Sequence, residues 1–163
     1  MTGSISELAA KLVIEGSLDV IAGKPGAEFP PAGGLALSNA RRAELGRPPG
    51  GGTVYYAAGD AQPSLEDGVF VDYQDATTTI WFNSVESRTA LKILEAALKR
   101  AYPKTKQQSD KAHPTHRGAR HRSYDVPLDN ERAAVVDVAY PADKGAEERF
   151  VVRITAFTKP NRI

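Results

Sequence analysis

All three histidines of the chain stand in one short stretch, as His113, His116 and His121, and the arginines Arg117, Arg120 and Arg122 are interleaved with them. Two imidazoles of near-neutral pKa beside guanidinium groups are what metal-independent ribonuclease chemistry uses. One takes the proton of a 2′-hydroxyl, the other protonates the leaving oxygen, and the cations answer the charge of the phosphorane. His116 and His121, with Arg117 or Arg120, are the candidate catalytic set. The same histidines, spaced H-x2-H-x4-H, offer three nitrogens with Asp110 or Asp125 as a fourth ligand. That spacing matches no zinc signature and the adjacent cations repel a divalent ion, so no metal is expected.

Six cations lie between residues 104 and 122, at Lys104, Lys106, Lys111, Arg117, Arg120 and Arg122, against the single carboxylate of Asp110. A stretch of net +5 on a chain of net charge +1 is a local footprint for phosphate or nucleic acid. Tyr102 and Tyr124 flank it as stacking surfaces, although interleaved aromatics and an RNA-binding signature are missing. The plainer alternative is a solvated linker in which these residues are simply polar.

Other chemistry is thinly represented. Gly33-Gly34 and Gly50-Gly51-Gly52 lack the Lys-Ser/Thr of a phosphate-binding loop, and the nucleophile-elbow, zinc-protease and dinucleotide patterns are absent. No cofactor is expected. The chain has no cysteine, which removes disulfides, thiolate ligands and thiol nucleophiles. Its first residues are too polar for a signal segment and no apolar run approaches the roughly 20 residues of a membrane helix. The expected setting is the cytoplasm or an assembled particle, with no membrane partner.

These residues must be held by the elements around them. At 163 residues, 41% hydrophobic and 25% charged, the chain suits a single domain over 1–163 with one core. Ser4-Ile5-Ser6-Glu7 has the spacing of a capping box, and Ile5, Leu8, Ala9, Leu12 and Val13 follow at helical period, with Gly16 as the expected stop. From about 23 to 52, Pro and Gly punctuate an irregular arm in which only Leu35 to Leu45 suits a short helix. Period two then takes over. Thr53 to Ala57, Val69 to Gln74 and Thr77 to Phe82 read as strands, the last two as a hairpin.

A helix capped at Asn83 or Ser84 and ended by Pro103 carries Ala90, Leu91, Leu94, Ala97, Leu98 and Ala101 on one face, and pairs Glu95 with Lys99 on the other. Residues 104–122 lack an apolar period and read as a basic loop. Strands at Tyr124–Leu128, Val136–Tyr140 and Phe150–Ala156 complete the order, with Pro127 marking a strand end and residues 141–145 a hairpin loop. The expected class is α+β: a mainly antiparallel sheet of five to six strands, with an N-terminal helix and one long helix packed on a face.

The arm is the guide to purpose. About thirty residues of irregular backbone need partners for their polar groups and contacts that offset their ordering entropy, which a neighbouring chain supplies. The leading expectation is a non-enzymatic structural or interaction subunit of a larger assembly, such as a tail, neck or capsid-associated protein of a phage-like particle. Its partners would be other protein subunits, copies of itself included. The alternatives are an RNA-binding or ribonuclease toxin domain that uses the His/Arg stretch, and a small protein-binding module of the chaperone or immunity type.

Overall fold

The computed structural model describes residues 2–27, 34–36, 40, 43, 52–57, 68–74, 77–83, 87–114, 118–128, 132–141 and 149–158. Two long helices lie among them. Helix α1 (Thr2–Val13) runs on through a π-helical turn (Ile14–Leu18) into a last α-helical turn (Asp19–Ile21), and α2 spans Ser87–Ala101. The strands are β1 (Leu35–Ala36), β2 (Gly52–Ala57), β3 (Gly68–Gln74), β4 (Thr77–Asn83), β5 (Lys106–Ala112), β6 (Ala119–Pro127), β7 (Arg132–Pro141) and β8 (Arg149–Thr158).

All eight strands form one sheet in the order β1-β2-β3-β4-β8-β7-β6-β5, and every pairing is antiparallel. The expected α+β sheet of five to six strands is therefore corrected to eight. The two additions are the outermost strands, β1 and β5. Neither carries the apolar alternation by which a half-buried strand is recognised, because an edge strand that places no side chain in the apolar core has no hydrophobic period imposed on it. Helix α2 carries the chain from the centre of the sheet, β4, out to its far edge, β5. Hairpins then bring it back until β8 closes against β4.

One face of the sheet holds the main core. Val54, Tyr56, Val69, Val71, Ile80 and Phe82 from the first half meet Phe150, Val152, Ile154, Val136, Val138 and Tyr124 from the second. Helix α1 covers it with Ala9, Leu12 and Val13, and α2 with Ala90, Leu91, Leu94 and Leu98. Their apolar spacing puts these residues on one side. No helix among the described residues is long and apolar enough to cross a membrane.

The N-terminal helix departs from expectation at both ends. It begins at Thr2, so Ser4 lies inside it, and it does not stop at Gly16. Val13 and Leu18, both fully buried, stand five apart, a spacing that a π-turn brings toward one face. The helix ends where Gly23 turns left-handed at φ 72°. There the Gly23 amide donates to the Val20 carbonyl and the Lys24 amide to the Asp19 carbonyl, the paired bonds of a Schellman end. Arg132 of β7 reaches over from the sheet and donates to the last carbonyls, those of Ile21 and Ala22.

Part of the arm rests on its own sheet: Leu35 and Ala36 pair with Tyr55 and Val54 of β2. Of the range expected to hold a short helix, Leu35 and Ala36 form a strand instead, whereas Ala40 and Ala43 are helical. Asn83, one of the two caps expected for α2, is instead the last residue of β4, and Pro141 of the expected hairpin loop ends β7; Ser84, residues 142–145 and the rest of the 35–45 range lie outside the described residues.

Candidate functional site

The basic stretch is mostly a hairpin. Strands β5 and β6 pair from Lys106 opposite Asp125 to Ala112 opposite Arg120, with a bulge between Gln107 and Ser109. The expectation of a loop over 104–122 is corrected accordingly. Strand alternation then splits its charges between the two faces. Arg120 and Arg122, in register with Tyr140 and Val138 of β7, point to the helical side. His121 and Lys111, a cross-strand pair, point to the opposite face, as do Lys106 and Asp125. There the His121 Nε2 stands 3.3 Å from the Asp137 carboxylate, and its ring meets that of His113 edge-on at 6.3 Å.

Two members of the sequence-derived catalytic set can be placed. His121 and Arg120 occupy opposite faces, and His116 and Arg117 lie outside the described residues. Of the six candidate phosphate contacts, the fold brings together only Arg120 and Arg122. Lys106 and Lys111 stand on the other face, Lys104 in the turn after α2, and Arg117 is outside the described residues. Among the described residues no group of three metal-ligating side chains occurs.

What the helical face does assemble is a polar hub between α2 and β5–β7. Asp110 of β5 accepts from the Arg120 Nε at 2.8 Å, from the Arg122 Nε at 2.7 Å and from the Tyr140 hydroxyl at 2.8 Å. Arg122 also donates at 3.0 Å to Glu95 of α2, which accepts at 2.8 Å from the Tyr124 hydroxyl and at 3.0 Å from Lys99. Arg120 donates in addition to the main-chain carbonyl of Asp110. Above the hub opens a cleft of about 770 Å³, walled by α2 on one side and by β5–β7 on the other.

Five cations line it, Arg88, Lys92, Lys99, Arg120 and Arg122, against Glu95 and Asp110. Both acids are committed to the hub. Arg88 and Lys92 are exposed, and no carboxylate among the described residues answers them. The sequence reading missed this convergence because the α2 cations look like an ordinary solvated helix face. The i,i+4 spacing of Arg88 and Lys92 was the available signal.

Burial pushes both carboxyls up, but their partners outweigh it. Hydrogen bonds from Lys99 and Tyr124 and the nearby charges hold Glu95 below its usual range, and Tyr140, Arg122 and Arg120 do the same for Asp110. Burial and the Glu95 contact push the Tyr124 hydroxyl up to about 12. Carboxyls depressed by folding contribute stability above their unfolded values near pH 4, and that contribution is lost as pH falls through their lower folded values. The raised phenol contributes below its unfolded value near pH 10, and loses that contribution as pH climbs toward 12. Hydrogen exchange of the β5–β6 amides, measured against pH, should show protection falling off at both ends, below about pH 4 and above about pH 10. Protection in β5–β6 that stays flat down to pH 2, in a protein still folded elsewhere, would show that the hub does not hold the hairpin.

Comparisons of the chain with protein-family models, with curated proteins and with solved structures find no match.

Proposed function

We propose that the chain is a non-enzymatic structural subunit that joins its neighbours edge to edge into a larger assembly. Strand β5 carries this reading. Its seven residues, Lys-Gln-Gln-Ser-Asp-Lys-Ala, bury no apolar side chain, yet they pair along β6 as a full strand. No described strand lies on its outer side. A strand that adds nothing to the core still presents a row of outward backbone groups, in which Arg120 occupies the Asp110 carbonyl and the Ala112 amide has no described partner, and such a row is what a neighbouring strand pairs with.

At the other end of the sheet, too, no described strand lies beyond the last one, β1. The two-residue β1 pairs with Tyr55 and Val54 alone, and among the described residues Leu35 is the one large hydrophobic side chain left exposed, at 55%. Two open edges at opposite ends of one sheet make a head-to-tail contact, and such contacts close into rings or continue as tubes. The tail, neck and capsid-associated parts of phage-like particles are assemblies of this kind.

The test is a single backbone donor. The His113 amide donates inward to the Ala119 carbonyl, so alternation turns the Ala112 amide outward. Ala112→Pro removes that donor and places a ring on the edge, where proline is tolerated in a strand. In sedimentation at rising concentration the wild type should form a species heavier than one protomer, and Ala112→Pro should remain monomeric with an unchanged circular dichroism spectrum. A wild type that is monomeric even at millimolar concentration sinks the proposal.

A further inference from the structure

The cleft between α2 and β5–β7 meets the β5 edge only where Arg120 holds the Asp110 carbonyl, and edge pairing makes no use of Arg88, Lys92, Lys99 or Arg122. We infer that it is a binding site for an extended acidic segment of a partner protein, whose carboxylates meet Arg88 and Lys92 on the helix wall and Arg120 on the sheet wall. Three observations converge on that chemistry.

The first is charge in a fixed geometry. Asp110 clamps Arg120 through the Nε and the Asp110 carbonyl holds an Nη, so this guanidinium is positioned before any ligand arrives. Its side chain is still 42% exposed, which leaves it open to a second carboxylate. A guanidinium already held in place gives up less freedom on binding, and its planar fork suits a carboxylate. Arg88 and Lys92, one helical turn apart on α2, supply two further positive charges on the opposite wall.

The second is size and lining. A volume of about 770 Å³ far exceeds what a lone inorganic anion fills, and Leu91, Ala96 and Pro141 give the walls apolar surface. Glutamate side chains present methylene groups as well as charge, and so match both features.

The third argues against nucleic acid. Among the described residues the one aromatic lining the cleft is Tyr140, which is 7% exposed with its hydroxyl committed to Asp110, so these residues offer bases no stacking platform. Lys106 and Lys111, which a phosphate backbone would want on the same track, face away.

Fluorescence anisotropy with a labelled alternating Thr-Glu octapeptide tests the site on the full chain. The peptide should bind wild-type protein and Ala112→Pro alike, since the edge is not used. The double variant Arg88→Ala/Lys92→Ala changes exposed side chains only, and should weaken binding about tenfold, as should raising salt from 50 to about 500 mM. Arg120→Lys keeps the charge and loses the fork, and should weaken it by a smaller factor. Binding no tighter than that of a Thr-Lys octapeptide overturns the inference, as does preferential capture of oligouridylate. Binding abolished by Ala112→Pro but untouched by the helix double variant also overturns it, by assigning the peptide to the edge. Because oligomer mass is read separately, a chain that assembles without binding the peptide, or the reverse, keeps the two proposals apart.

Discussion

Asp110→Ala is expected to lower the free energy of opening of the β5–β6 hairpin by about 3 kcal/mol, the low end of what removing one member of a buried ion pair costs. The low end applies because the Asp110 side chain keeps 15% of its exposure. This one carboxylate holds two arginines and a tyrosine hydroxyl from two neighbouring strands, and without it Arg120 and the Tyr140 phenol lose their carboxylate while Arg122 is left with Glu95 alone. Most strands would survive such a loss on their hydrophobic contacts. Strand β5 has none: its residues are exposed or only half-buried, and pairing with β6 is otherwise all that keeps it in the sheet. The damage should therefore be local. Hydrogen exchange should show the β5 amides and their β6 partners losing protection, while the amides of β4 and β8 keep theirs. Trp81, the single tryptophan and 1% exposed, reports the rest of the core by fluorescence in urea, and its unfolding midpoint should move much less. A change below about 0.5 kcal/mol in the hairpin would mean that backbone pairing alone secures β5.

That dependence on one polar residue also explains what could and could not be read along the chain. Helix α2 was legible because its packing imposes a period: Ala90, Leu91, Leu94 and Leu98 return to one face and are buried there. The β3–β4 hairpin was legible for the same reason, since Ile80 and Phe82 enter the main core while Trp81 enters the smaller cluster on the other face. Strand β5 obeys no such rule. Lys-Gln-Gln-Ser-Asp-Lys-Ala has neither the alternation nor the composition of a strand, and its order comes from Arg120, Arg122 and Tyr140, up to thirty residues away in sequence. The π-turn was hidden likewise. Gly16 is a natural helix stop, and only the burial of Leu18 explains why the helix continues past it. For the candidate site, the clustering of cations in the sequence does not tell which face each of them takes. Alternation along β6 sends Arg120 and His121 to opposite faces, and it is Arg88 and Lys92, more than twenty-five residues upstream of Arg120, that complete the cleft.

Gly68→Ala should cost about 3 kcal/mol, the upper end of the overpacking range, although it adds a single methyl group to a strand. A Cβ at Gly68 would overlap the ring of Tyr55 on the neighbouring strand. Whether that matters depends on whether the ring can yield, and here it is boxed in. Tyr55 is 1% exposed and packs against Phe70 at 5.0 Å, and Phe70 is stacked on Trp81 at 4.2 Å with the rings 12° from parallel. These three aromatics form a cluster of their own on the sheet face opposite the helices, with Val151 packed against it. Moving Tyr55 aside disturbs all of them, so the buried Trp81 should show a shifted native emission as well as an earlier urea midpoint. Gly26 provides the contrast. It has a left-handed φ of 81° and no atom within 4 Å of a built Cβ, so alanine there should cost only the backbone penalty of about 1 kcal/mol and leave the tryptophan signal alone. The mechanism itself is tested by a cycle with Tyr55→Ala. If the ring is the obstacle, Gly68→Ala should cost little in that background, and an equal cost in both backgrounds would place the strain elsewhere.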